Sequence, residues 1–456
     1  MSKIPSMDGY FGLPSSASGE QQAKDSRRTS SEQELCFSVV ITGRLRDPTR
    51  ARMIGQETTS VTKPLVHGRS RVLLVSIVPP QNDCGVRIVM HRHLVERSPF
   101  DLHVATTYDS CNPDLAWTQL RLPYPLHRLR RTRFGPALRR WFADYENWIL
   151  PLTSHRVLDD CVRTFKPDVI LTLAETGLCH LAKRTARKHG IPLAGLFLDW
   201  FPIMEPHFGH GWAQSHLSRR YRQLYRQCDL AFCTSDGMQE VLGPHPNSHV
   251  IYPMPAKHHL VSQCWPPRNR KFRVVYVGSV RNHYGRMLSA LVERLENEST
   301  IEIIVVGGNA DWPAPILEKA RTSGAYLGYL PPEKSSEVLL GADALLVVMS
   351  FEREHELFMR TSFTTKFLDY AAFHKPILLW APDYCTPMRV VRREGGALPV
   401  NTASLDHVVE AIRSIASNSE MRVRLAAEAR QLNAGTFNPD RLQDVFVSQI
   451  EALAHR

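Results

Sequence analysis

The strongest constraint in this sequence is a set of short apolar runs that do not alternate. RVLLVSIV at residues 71–78 is apolar at almost every position. A strand with one wet face alternates apolar and polar residues, whereas a near-continuous apolar run is buried on both faces, as in a parallel sheet covered by helices. The pattern recurs at 102–106, DVILTLA (168–174), PLAGLFLDW (192–200), DLAFCTS (229–235) and HVIYP (249–253). Helical stretches are expected between these runs: about 85–97, one long helix over about 134–165, then 177–189 and 211–227. Residues 255–270 are rich in Pro, His, Arg and Lys and have little apolar pattern, so they read as a linker. The alternation then restarts with FRVVYVGS (272–279), IEIIVVGG (301–308), AYLGYL (325–330), ALLVVMS (344–350), KPILLW (375–380) and ALPV (397–400).

Strands alternating with helices give an α/β fold, and two such series give two Rossmann-like, doubly wound parallel-sheet domains. The expected boundaries are a disordered extension at 1–69, a first domain at 70–258, a linker at 259–270 and a second domain at 271–437. A closing helix at 438–456 is expected to pack back on the first domain. It opens with Asn438 as cap, Pro439 at the first helical position and Asp440 in the first turn. The extension is rich in Ser, Gly, Gln, Thr and charge, with one strand-like run at 36–42, and Met53 is an alternative start. Ligands of doubly wound domains bind beyond the carboxyl ends of the strands, so two facing domains place the site in the cleft between them.

The chain has 456 residues and a formal net charge of +11, which favours an anionic partner. Its nine cysteines include no CxxC pair and fall mostly in apolar runs, which reads as reduced thiols in a cytoplasmic protein. No run reaches the roughly 18 apolar residues of a membrane span, and no secretory leader is evident.

Chemistry concentrates at TSFTTKFLDYAAFHKPILLW, residues 361–380. A hydroxyl-rich start precedes a helix whose first N–H groups, at Thr364 and Thr365, suit a phosphate. Lys366 adds a charge there. Asp369 lies three residues on, on the same helix face, where a carboxylate can accept from a ribose diol. Taken alone, Lys366 and Asp369 read as a solvated i, i+3 ion pair and Thr361 as only a cap; the surrounding segment changes the weighing. Gly278 and Ser279 end the second domain's first strand, where a glycine lets a phosphate approach the backbone, and Arg281 follows. In the first domain, Asp199 ends a strand and is a candidate base for an acceptor hydroxyl, or else a loop cap. Glu175, just past another strand, is a second candidate.

The 361–380 segment resembles the donor-binding element of family 4 (group 1) glycosyltransferases, in Ser362, Phe363, Thr364, Thr365, Lys366, Asp369, Tyr370, Ala372, Lys375 and Pro376. The resemblance runs in order through most of 71–455. It includes KPDVILTLAETG (166–177), CDLAFCTSDGM (228–238), VVYVGSV (274–280) and GYLPPEKSSEVLLGADALLVV (328–348). It implies the GT-B architecture, two such domains facing across a cleft, and sugar transfer from a nucleotide-sugar with retention of configuration. Asp369 would hold the ribose. Lys366 with the backbone at Thr364 and Thr365 would hold the diphosphate, Tyr329 would lie by the base, and Gly85 would form the glycine loop; Gly278, Ser279 and Arg281, from the strand-end reading above, would add to the phosphate contacts. No cofactor and no metal is implied, and the sequence has no D-x-D motif. The chain departs from the family where Thr361 replaces the first glutamate of the motif, with Glu352, Glu354 and Glu356 upstream as spatial substitutes. It also departs at Leu198, where relatives carry a histidine, and in having one loop glycine.

Arg128, Arg130, Arg131, Arg133, Arg139 and Arg140 cluster among aromatic residues. The segment suits an anionic membrane surface, a nucleic acid or a plain solvated helix face. Similarity to membrane-associated relatives implies peripheral contact with the inner face of the membrane, a carbohydrate or lipid-linked acceptor, and a role in envelope polysaccharide or glycolipid synthesis. Two rivals stand beside this reading. One is a nucleotide-sugar epimerase on the same architecture, and the other is a basic nucleic-acid-binding protein, which no recognised module supports.

Overall fold

The computed structural model describes residues 60–61, 68–83, 85–121, 135–153, 155–203, 210–255 and 270–456. The strand-like run at 36–42, Met53, most of the linker, and Arg128, Arg130, Arg131 and Arg133 lie outside the described residues.

The first sheet holds β1 (Ser60–Val61), β2 (Arg71–Ser76), β3 (Asp101–Thr106), β4 (Ala116–Gln119), β5 (Val169–Leu173), β6 (Leu193–Phe197), β7 (Leu230–Cys233) and β8 (Ser248–Val250). Its order is β1-β4-β3-β2-β5-β6-β7-β8. β2 to β8 are parallel and β1 alone runs antiparallel, against β4. The second sheet holds β9 (Phe272–Val277), β10 (Ile301–Val306), β11 (Tyr326–Gly328), β12 (Ala344–Val348), β13 (Ile377–Trp380) and β14 (Leu398–Val400). Its order is β11-β10-β9-β12-β13-β14, all parallel. The central strands are sealed on both faces, as their uninterrupted apolar runs require: Val72 to Val75 and Val274 to Tyr276 are wholly inaccessible. The order reverses between β2 and β5 and between β9 and β12, which makes these the two switch points.

Three elements differ from the sequence expectation. The long helix expected at 134–165 is divided into Gly135–Asp144, a π-turn at Tyr145–Ile149, a 3-10 turn at Leu150–Leu152 and a helix at Arg156–Phe165. Pro151 has no N–H to continue the ladder, and the chain restarts with His155 accepting from the N–H of Leu158. β4, whose residues are Ala, Trp, Thr and Gln, carries no apolar run and was not expected, yet all four residues are buried. Ser60 and Val61 were assigned to a disordered extension but pair with Thr118 and Trp117 of β4.

The helix Pro439–Ala454 is capped by Asn438, whose side chain accepts from the N–H groups of Asp440 and Arg441. Phe446, Ile450 and Leu453 of this helix lie in the first domain's core. Gln443 donates to the carbonyls of His93 and Arg97.

Candidate functional site

Glu175 follows β5 and Asp199 follows β6, so adjacent parallel strands deliver both carboxylates to the same edge. Glu175 is buried, and burial followed by the charge of Asp199 pushes its pKa up to about 8. Burial also raises Asp199, opposed by a hydrogen bond in which Ser362 Oγ donates to Asp199 Oδ1 at 2.7 Å. The Asp199 carbonyl accepts from the hydroxyl of Tyr221 at 2.9 Å, which fixes the loop. Ser362 belongs to the second domain, so this bond crosses the cleft.

Ser362 links the helices Glu356–Thr361 and Thr365–Ala371. Thr361, at the position of the missing glutamate, turns inward: it is fully buried and its hydroxyl donates to the Leu357 carbonyl at 2.8 Å. Glu352 engages Arg286, Glu356 engages Arg360, and Glu354 is mostly exposed. Thr364 stands at the N-cap of the Thr365–Ala371 helix, and no side chain caps that end.

Lys366 is half-buried, and its ammonium lies 5.7 Å from the ring centroids of both Tyr276 and Tyr284. Burial lowers its pKa to about 8, partly offset by Asp369. The Lys366 stem crosses Gly278 so closely that a Cβ at 278 would stand 1.8 Å from Lys366 Cε, and Gly278 has φ +151°. Lys366 is thus placed at the carboxyl end of β9. Asp369 Oδ1 accepts from Nη1 of Arg92 in the first domain at 3.1 Å, and the same nitrogen donates to the Met254 carbonyl.

The remaining candidates are less closely gathered. Ser279 offers its carbonyl to the Tyr276 hydroxyl at 2.7 Å. Arg281 is the N-cap residue of the helix Asn282–Leu295, but the first N–H of that helix already donates to Asp311 Oδ2 at 2.7 Å. Tyr329 is 50% exposed just past β11, two strands from β9. Gly85 opens the first helix after β2 with φ +37° and open space around it. Lys375, matched in the family motif, is structural: its ammonium donates to the carbonyls of Leu340 and Ala342. Of the basic segment, Arg140 has a described side chain, and it is exposed.

Sequence reading missed Ser362 as a partner of Asp199, Arg92 as a partner of Asp369, and Tyr284, whose ring centroid lies 5.7 Å from the Lys366 ammonium. The first two pairs are 163 and 277 residues apart, and no local pattern links them. The arrangement sets two carboxylates of raised pKa opposite a cation and a third carboxylate across one cleft.

No protein-family profile matches the chain, and no curated protein matches it in sequence. Solved structures do match. A sucrose-phosphate synthase from Thermosynechococcus elongatus superposes with a TM-score of 0.59 at 12% identity, over 84% of this chain and 99% of that one. Anabaena HepE in complex with UDP superposes at 0.58 and 12% identity, over 84% and 100%. The lipopolysaccharide outer core galactosyltransferase WaaB, in its apo form, superposes at 0.53 and 13% identity, over 84% and 99%. Two parallel-sheet domains facing across a cleft, matched over nearly the whole of these proteins, give the chain the GT-B fold.

Proposed function

We infer that the protein is a glycosyltransferase, with a nucleotide-sugar bound by the second domain and an acceptor hydroxyl presented by the first. The observation that carries this reading is the bond from Ser362 to Asp199. It holds the first domain's carboxylates against the segment that bears Lys366 and Asp369. Asp369 receives the ribose diol and Lys366 the diphosphate. The new bond forms between the acceptor oxygen and the anomeric carbon as the bond to the phosphate oxygen breaks. The acceptor's proton passes to Asp199, and Lys366, with Arg281, neutralises the departing diphosphate. Configuration is retained, no D-x-D metal is used, and the nucleotide-sugar is the substrate with no cofactor. Because Anabaena HepE was solved with UDP-glucose, a uridine diphosphate sugar is the first donor to test.

An acceptor at a membrane surface is favoured by a second observation. Leu152 and Trp212 are 73% and 67% exposed, and Trp212 stacks on Trp148 at 5.5 Å with Arg220 over the Trp148 ring. Such an aromatic and cationic surface on the first domain suits peripheral contact and a lipid-linked envelope acceptor. Among the described residues, no helix is long and apolar enough to cross a membrane.

The test is thermal stabilisation by UDP, GDP, ADP and their sugars, with Asp369→Ala alongside. A ligand at 100 times its dissociation constant adds about 2.7 kcal/mol. The expected result is a shift with one nucleotide class that is lost in the variant. Stabilisation by short nucleic acid and by no nucleotide would overturn the reading.

A further inference from the structure

The backbone that carries Ser362 is pinned by hydroxyls from both domains. Ser235 follows β7 and caps the helix Asp236–Leu242, its Oγ accepting from the N–H of Met238 at 3.0 Å. The same Oγ donates to the carbonyl of Thr361 in the second domain. Thr386, the first residue of the helix Thr386–Glu394, donates from Oγ1 to the carbonyl of Ser362 at 2.6 Å. Ser235, Thr361 and Thr386 are wholly inaccessible, and Ser362 is 5% exposed.

Little slack remains around these contacts. A Cβ at Gly237 would stand 1.9 Å from the carbonyl oxygen of Arg360 and 3.6 Å from Cγ2 of Thr386, so the ends of three helices meet with no room for another side chain. The last turn of a helix leaves carbonyls without intrahelical partners, and closed carbonyls need donors. Both hydroxyls meet that need, which is a structural role. Their effect reaches further, because Ser362 sits between two bonds: its carbonyl accepts from Thr386 and its Oγ donates to Asp199 Oδ1 at 2.7 Å. Where the first bond fixes the backbone, the second keeps its length and direction.

We propose that Ser235 and Thr386 are positioning residues, which fix the backbone at 361–362 so that Ser362 Oγ stays on Asp199, and thereby govern when Asp199 is free to take the acceptor's proton. The proposal rests on Asp199 being the base of the transfer described above. A hydrogen bond donated to a carboxylate favours its charged form. Burial raises the pKa of Asp199, and the Ser362 bond opposes that rise. Losing the bond therefore keeps Asp199 protonated to higher pH. The other titratable groups that bear on it are Glu175 after β5, Tyr221, whose hydroxyl donates to the Asp199 carbonyl, and Tyr284, with the Lys366 ammonium 5.7 Å from its ring. Burial is the first cause that raises all three, so each keeps its proton in acid solution and leaves the acid limb to Asp199.

The full chain is compared as wild type, Ser362→Ala, Thr386→Val, Thr386→Ser and Ser235→Ala. The titration of Asp199 is read by infrared difference against the same chain carrying Asp199→Asn, a measurement that needs no substrate. The midpoint should move to higher pH in Ser362→Ala. It should move the same way in Thr386→Val, which keeps the side-chain shape and loses the donor. Thr386→Ser restores the hydroxyl and should return the wild-type midpoint, a rescue that a loss of stability alone does not produce. Ser235→Ala reads the same effect from the Thr361 carbonyl and decides the matter where Thr386→Val does not fold. In a transfer assay, the acid limb of kcat/KM should follow the same order. An unmoved midpoint in Ser362→Ala, or in both Thr386→Val and Ser235→Ala, would overturn the proposal. Midpoints that move as expected uphold the positioning role even where no sugar is transferred, and that absence would count against the glycosyltransferase reading alone.

Discussion

Gly278 and Lys366 constrain each other. The lysine reaches the carboxyl end of β9 only because position 278 has no side chain, and the positive φ there suits glycine alone. Gly278→Ala should push the ammonium away and strain the backbone, costing about 1–3 kcal/mol. The expected outcome is a lower urea midpoint together with loss of nucleotide-dependent stabilisation. A variant that still responds fully to the nucleotide would remove Lys366 from the donor site. Glu175 gives a prediction in pH. Its pKa of about 8, against the ordinary 4.5, means that between these values the folded chain keeps a proton that the unfolded chain releases. Its contribution to stability is therefore full below pH 4.5 and is lost as the pH rises through 8. Urea midpoints of wild type and Glu175→Gln at pH 5 and pH 8 should show a smaller fall in the variant. A residual slope is expected from Asp199, which is shifted in the same direction. Equal slopes would mean that Glu175 is not the buried acid.

Elements were readable where one local pattern fixed them and were lost where tertiary contact did. The sealed strands β2, β5, β9 and β12 announce themselves, because burial on both faces demands apolar residues throughout. β4 does not. Thr118 and Gln119 are polar but buried, and Thr118 is satisfied by His103 Nε2 at 2.8 Å, a partner that sequence spacing cannot reveal. The same division runs through the candidate site. Asp199 and Glu175 could be placed at strand ends from periodicity, whereas Ser362 and Arg92 matter only after two domains meet. The closing helix shows how much one element can hold. Phe446 is buried against His93, Phe100 and Phe232, so the helix completes a core that begins more than 300 residues earlier. Phe446→Ala should cost about 3–5 kcal/mol, as for other large-to-small changes in closed cores. Chemical denaturation measures it, and a loss under 1 kcal/mol would mean the helix is docked loosely.

At the scale of the whole molecule, the two domains are joined by polar contacts at the cleft as well as by the closing helix. Arg389 pairs with Glu240 and Arg393 with Asp236 at the periphery, where solvent weakens such pairs. The Arg92–Asp369 pair is different, because the arginine is 6% exposed and the aspartate 24%. Removing either partner from a shielded pair strips the other of that compensation, whereas removing both lifts the desolvation cost as well. A cycle of Arg92→Ala, Asp369→Ala and the double variant should therefore be non-additive, with a coupling of about 1–3 kcal/mol in urea unfolding. Additive losses would show that the contact contributes nothing between the domains. The same pair bears on ligand binding. A ribose diol that reaches Asp369 meets a carboxylate already engaged through Oδ1 by the opposite domain. If the sugar shares the carboxylate with Arg92, nucleotide binding and domain contact strengthen together, and Arg92→Ala weakens both. If the diol displaces the arginine, Arg92→Ala binds nucleotide more tightly while unfolding more easily. Nucleotide titration of that single variant separates a cleft that closes on its donor from one that must open to admit it.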